Sequence, residues 1–176
     1  MRRLILMRHA SAGAAPAGGD DIDRPLTDAG RAEASRVAGA LAKAGLSPDR
    51  AHVSAAKRTR QTWDAMAPAF PGAIAQVHDG LYNADSLALL TLVADETEDE
   101  ADETVMILGH NPGIHIAAVH LLDRASAAPS TIARVQRGFH AATAVAFVVD
   151  TAGRLEYDGL FLAGDVAGDL GGMTGT

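Results

Sequence analysis

Two short runs, Arg3–Arg8 (RLILMR) and Thr104–Leu108 (TVMIL), place apolar side chains at consecutive positions rather than at every second one. Runs of this length are too short for a helix, and their lack of alternation marks strands buried on both faces. A strand covered on both sides needs helices above and below it, so the runs predict a parallel sheet inside two helical layers. The intervening sequence supplies those helices. Thr27 caps a helix that runs to about Ala44 and stops at Gly45, with Ala34, Val37, Ala38 and Leu41 on one stripe. A second helix spans about Ala56–Ala67, with Thr59, Trp63, Met66 and Ala67 on one side, before Pro68 and Pro71. Ala51–Ser54 and Ala73–Val77 read as strands, and Ser86–Ala94 as a helix. Pro112 suits the first turn of a helix whose inner face is Ile114, Ala117, Ala118, Leu121 and Leu122. Ala141–Val149 and Arg154–Leu162 form a hairpin around Asp150–Gly153. The expectation is an α/β fold, a three-layer α/β/α sandwich with a mostly parallel sheet and a C-terminal hairpin.

At 176 residues the chain has room for one such core, placed here at 1–162, with 163–176 a Gly-rich tail expected to be mobile. The absence of cysteine excludes disulfides, thiol catalysis and Cys-ligated metal. No apolar run reaches the roughly 18 residues of a membrane span, and Leu4–Met7 is too short for an export signal. A cytoplasmic protein without a membrane partner is expected. The net charge of −7 comes from Asp95–Glu103, which carries seven acids and no base; the remainder is balanced. That run reads as a solvated connector. A balanced surface without a basic stripe also argues against nucleic acid as a partner.

Open α/β sheets bind ligands beyond the carboxyl ends of their strands. The first strand here exits into Arg8-His9, and the second at Ser54, just before Lys57-Arg58. The strand TVMIL exits into Gly109-His110-Asn111-Pro112, ahead of a helix start. Two arginines and two histidines thus reach one rim beside helix-start amides, a set of groups suited to a phosphoryl group. Arg24 either reaches this rim or pairs on the surface with Asp20, Asp21 or Asp23. Ser54 and Thr59 are expected to hold the loop. His115 and His120 lie about 140° apart around a helix and form no metal pair, and no HExxH, P-loop or dinucleotide fingerprint is present.

The segments LILMRHA (Leu4–Ala10), RPLTDAG (Arg24–Gly30), VSAAKRTRQT (Val53–Thr62) and GHNPG (Gly109–Gly113) together resemble the histidine phosphatase, or phosphoglycerate-mutase-like, superfamily. Chain length and the early RPLT are most similar to its short SixA-type phosphohistidine phosphatases. The resemblance implies a nucleophilic His9, with Arg8, Arg58 and His110 around the phosphoryl group. It implies neither cofactor nor metal, a phosphorylated protein or small phosphate ester as substrate, and inorganic phosphate as product. The physical reading agrees, since nearby arginines lower the proton affinity of His9 and neutralise charge in the transition state.

Two positions depart from the family pattern. Ala10 stands where the third motif residue is usually glycine, and fits if the backbone there avoids positive φ. Many members also place an acid near the end of the third strand, where this chain reads VHDGLY; Asp79 is the nearest carboxylate and the candidate proton donor, with His78 behind it. Without a strong acid the expected preference is for phosphoramidate bonds, because imidazole leaves more readily than alkoxide. The alternatives are a phosphatase or mutase for small metabolites and a non-catalytic phosphate- or phosphopeptide-binding module.

Overall fold

A computed structural model describes residues 2–98 and 103–164. Among them, one six-stranded sheet is formed by β1 (Arg2–Arg8), β2 (Arg50–Ser54), β3 (Ile74–His78), β4 (Thr104–Gly109), β5 (Ala144–Val149) and β6 (Leu155–Phe161). The helices are α1 (Asp28–Lys43), α2 (Lys57–Met66), α3 (Ser86–Glu98), α4 (Gly113–Arg124) and α5 (Pro129–Arg137). The strand order is β3-β2-β4-β1-β5-β6. Strands β3, β2, β4 and β1 run parallel, β5 is antiparallel to β1, and β6 completes the hairpin.

The two runs without alternation become the central neighbours β1 and β4, buried along almost their whole length. Alternate β1 residues serve different layers. Ile5 and Met7 meet α1 and α2 through Val37, Leu41, Trp63 and Met66, while Leu4 and Leu6 meet α3, α4 and α5 through Leu89, Ile114, Leu121 and Val135. The register of this pair places the site. Arg8 stands opposite Gly109, so His9 and His110 leave the sheet side by side, and the His9 amide donates to the Gly109 carbonyl at 3.1 Å.

Helix α1 also fixes the loop that follows His9. Thr27 Oγ1 caps it by accepting from the Gly30 amide at 2.9 Å, and the same hydroxyl donates to the Ser11 carbonyl at 3.2 Å. Glu33 accepts from the Ser11 amide and hydroxyl, both at 3.0 Å. Gly30 is required by this approach, because a Cβ there would stand 2.1 Å from the Ser11 carbonyl oxygen. Gly45 ends the helix in the left-handed region at φ +73°.

The structure departs from the sequence expectations in three places. Helix α5 was not foreseen; its run PSTIARVQR buries only Thr131 and Val135. The hairpin begins at Ala144 rather than Ala141, because Ala142 turns into the left-handed region at φ 54° to donate its amide to the His9 carbonyl at 3.0 Å. The acidic run is not simply a solvated connector. Helix α3 continues into it, and Glu96 and Glu103 close on Arg50 at 2.8 and 2.9 Å. Glu96 also reaches the buried His52 at 3.0 Å, and the other nitrogen of His52 bonds His78 at 2.9 Å. A buried imidazole and a half-buried guanidinium on β2 need partners, and the acids provide them. Residues 165–176 of the expected tail lie outside the described residues; Ala163, just before them, accepts from Arg36 Nε at 3.2 Å.

Substituting Gly30→Ala should lower unfolding stability by roughly 1–3 kcal/mol, because the Ser11 backbone cannot retreat. Gly39→Ala, in the same helix with nothing within 4 Å of its Cβ position, should raise stability by up to about 1 kcal/mol. Urea denaturation of the two variants checks both signs.

Candidate active site

The exits of β1, β2 and β4 deliver side chains to a common point. The rings of His9 and His110 lie 5.1 Å apart between centroids, tilted by 56°. Arg58, in the first turn of α2, is buried beside them. Arg8, Arg58 and Arg24 all act electrostatically on His9. Five of the six residues proposed from the sequence, Arg8, His9, Arg24, Arg58 and His110, therefore gather here. Asp79 does not join them. It is exposed in the 3-10 turn Asp79–Leu81, and with His78, Gly80 and Ala88 it lines a separate cavity of about 430 Å³.

The VSAAKRTRQT segment is accounted for nearly residue by residue. Arg58 enters the site. Thr59 Oγ1 donates toward the Ser54 and Ala56 carbonyls, both at 2.7 Å. Gln61 Oε1 accepts from the Leu26 amide at 2.8 Å, and Thr62 Oγ1 accepts from the Ala10 amide at 3.1 Å. Ala10 is fully buried and is not among the positive-φ residues, so alanine fits where glycine is usual. Ser54 does more than hold the loop, as its Oγ lies 2.7 Å from His110 Nε2.

The arginines are held largely by carbonyl oxygens. The Phe139 carbonyl, just beyond α5, accepts from Arg8 Nη1 and from Asn111 Nδ2, each at 3.0 Å. Arg58 Nη1 donates to the Asp21 carbonyl at 2.7 Å and Nη2 to Asp21 Oδ2 at 3.0 Å. The same Oδ2 accepts from the Tyr82 hydroxyl at 2.8 Å, and Tyr82 presents its edge to His110 with centroids 5.7 Å apart. Arg24 resolves between its two readings by doing both. It pairs with Asp21 at 3.2 Å while its Nε donates to the Gly13 carbonyl at 2.8 Å, at the edge of the site. Asp21 as an anchor for Arg58, and Tyr82 beside His110, escaped sequence reasoning. The one available signal was an aspartate three residues before the arginine of RPLT.

Burial, with the three arginines assisting, pushes the His9 pKa from 6.5 down to about 4. Burial, the neighbouring His9 and Arg58 take His110 to about 3. Arg8 is also lowered, by burial first and Arg58 second. Both imidazoles are therefore neutral near pH 7. A neutral His9 whose Nδ1 lies 2.7 Å from the Ala10 carbonyl must carry its hydrogen there, because a carbonyl only accepts; the Nε2 lone pair is then free. His110 is protonated on the same nitrogen but turns the other one inward. The Ala56 amide points at Ser54 Oγ at 3.4 Å, so the Ser54 hydrogen goes to His110 Nε2, leaving Nδ1–H as a buried donor without a protein partner. One imidazole thus presents a lone pair and the other a donor, beside two guanidiniums. That arrangement suits nucleophilic attack on a phosphoryl group.

Because both pKa values lie below the unfolded value, the unfolded chain binds more protons between about pH 6.5 and 4, and stability falls as the pH descends through that window. Nitrogen-15 spectra should hold His9 as the neutral Nδ1–H tautomer at pH 6, with a midpoint near 4; a ring protonated at pH 6.5 contradicts this assignment. Ser54→Ala should lower kcat by roughly tenfold with little change in KM, since it frees the His110 tautomer without removing the donor. Steady-state kinetics checks the split.

Comparison with known proteins agrees with this geometry. A family model described as the histidine phosphatase superfamily (branch 1) matches residues 4–142. A chloroplastic protein of Arabidopsis thaliana, uncharacterized by its own description, is 30% identical over 168 residues, spanning 90% of this chain and 77% of that one. A solved structure from Agrobacterium tumefaciens, described as a candidate phosphohistidine phosphatase SixA, shares 32% identity at a TM-score of 0.77, covering 90% of this chain and 96% of that one. A protein of the same description from Nakamurella multipartitia shares 29% identity at a TM-score of 0.75, covering 90% and 94%. With most of its length matched by the family model and its four motif segments folded into one site, the chain belongs to the histidine phosphatase superfamily.

Proposed function

We propose that this protein is a metal-independent phosphatase that passes the phosphoryl group through His9 and acts on phosphohistidine carried by proteins. The observation that carries the reading is the neutral His9, its Nδ1 engaged by the main chain, beside His110 and within electrostatic reach of Arg8 and Arg58. In the first step Nε2 attacks phosphorus and the bond from phosphorus to the leaving nitrogen breaks, the leaving imidazole taking up a proton from solvent, which the attacking water of the second step returns. In the second, water attacks the phosphorus of phospho-His9, the P–Nε2 bond breaks, and inorganic phosphate departs with His9 restored. Arg8 and Arg58 neutralise the equatorial oxygens throughout, and His110 donates to one of them. These cationic and donor groups occupy the electrostatic role that a metal ion fills in other phosphoryl-transfer sites.

Three features support phosphohistidine as substrate. The SixA-described structures at 32% and 29% identity carry that substrate class in their descriptions. Among the described residues, the segment between Tyr82 and Thr104 holds α3 and no further element to close over the site. Asp79, the acid expected near β3, stands away from His9, which suits a leaving group that accepts its proton easily. A single domain over 1–162 and a cytoplasmic location fit this role, and no described helix is long and apolar enough to cross a membrane.

His9→Ala should reduce turnover by roughly 10³-fold or more, and Arg58→Ala by about 10²–10³-fold. Quenched wild-type reactions should show an acid-labile phosphoryl group on His9 by mass spectrometry. A phosphohistidine peptide should be hydrolysed faster than a sugar phosphate; the reverse order would favour a small-metabolite phosphatase, and no covalent species at all would favour a binding module.

A further inference from the structure

The mouth of the site carries its own carboxylate. Asp21 sits in the short turn Asp21–Asp23, with 53% of its side chain exposed, and spends both oxygens on cations that flank the phosphoryl position. Oδ2 takes Arg58 Nη2 at 3.0 Å together with the Tyr82 hydroxyl at 2.8 Å, and Oδ1 takes Arg24 Nη1 at 3.2 Å. Its main-chain oxygen takes Arg58 Nη1 at 2.7 Å. Arg24 is engaged on its other side by the Gly13 carbonyl. Arg24, the arginine at the edge of the site, therefore already gives Nε and Nη1 to groups of the chain itself. Asp21 is also close enough to act on His110, which places its charge on the same side of the site as the second imidazole.

We propose that Asp21 determines leaving-group specificity, occupying the position that a substrate carboxylate beside the phosphoryl group would take and thereby excluding acidic phosphate esters while accepting neutral or cationic leaving groups. The inference rests on reading the site as a phosphatase centre with the phosphoryl group among His9, Arg8, Arg58 and His110. An ester whose leaving portion carries a carboxylate must displace Asp21 from Arg24 and Arg58, or meet it as a like charge. A protonated imidazole instead gains an anion at the mouth. Partial exposure lets water and salt screen this charge, so the discrimination is modest at low ionic strength and fades as salt is added.

The test compares kcat/KM for 3-phosphoglycerate, p-nitrophenyl phosphate and a phosphohistidine peptide in wild type, Asp21→Asn, Asp21→Glu and Tyr82→Phe. In Asp21→Asn the ratio of 3-phosphoglycerate to p-nitrophenyl phosphate should rise about five- to tenfold at low salt, and the gain should shrink toward unity near 1 M salt. The phosphohistidine ratio should fall. Asp21→Glu and Tyr82→Phe, which keep the charge, should stay near the wild-type ratios even where absolute rates drop. A ratio unchanged within twofold in Asp21→Asn, or an equal shift in Tyr82→Phe, overturns the proposal. Should Asp21→Asn be too slow to assay, the ratio of 3-phosphoglycerate to inorganic phosphate affinities by calorimetry carries the same expected rise, and a flat ratio overturns it equally. If wild type ignores the phosphohistidine peptide while the ester ratio still shifts, the substrate assignment falls and the role of Asp21 stands.

Discussion

Two imidazoles that must stay neutral lie against guanidiniums that must stay charged, and most of the surrounding structure follows from keeping them so. The arginines could have been stabilised by carboxylates alone, but full neutralisation would cancel the field that draws a phosphate and that assists burial in keeping His9 deprotonated. Arg8 instead rests on a peptide carbonyl, and Arg58 on a carbonyl and one shared carboxylate. Carbonyl oxygens fix direction without removing net charge. This is why segments remote from the chemistry matter: the end of α5 is present at Phe139 to hold Arg8, and the turn at Asp21 to hold Arg58.

The sheet and its order of elements were legible because the physics is local and repetitive. RLILMR and TVMIL have no polar face to give to solvent, so they had to be central. The stripes of α1 and α4 had to face them, and Thr27 and Gly45 mark helix ends through hydrogen bonding and backbone freedom available only to such residues. The convergence of Arg8, His9, Arg58 and His110 was legible for a related reason, since parallel strands share a carboxyl end and the side chains just beyond it share a rim.

What escaped the sequence depends on tertiary contact. Helix α5 buries only two side chains, too faint a stripe to recognise among PSTIARVQR. The acids at the end of α3 and beyond it look like any solvated run until β2 sets Arg50 and His52 across from them. Asp21 lies among three neighbouring aspartates, and nothing in their order tells which one meets Arg58; that choice belongs to the turn at Asp21–Asp23. The carboxylate that follows β3 in the chain is Asp79, whereas the residue beside that turn that reaches the site is Tyr82, three places on.

The bond from the His9 ring to the peptide carbonyl of Ala10 has a regiochemical consequence. An imidazole can be phosphorylated on either nitrogen, giving two isomers of different hydrolytic lifetime. Here one nitrogen is engaged by the main chain, so the proposed mechanism admits a single isomer of the covalent adduct. On that mechanism a backbone contact selects which chemical species the protein transiently becomes.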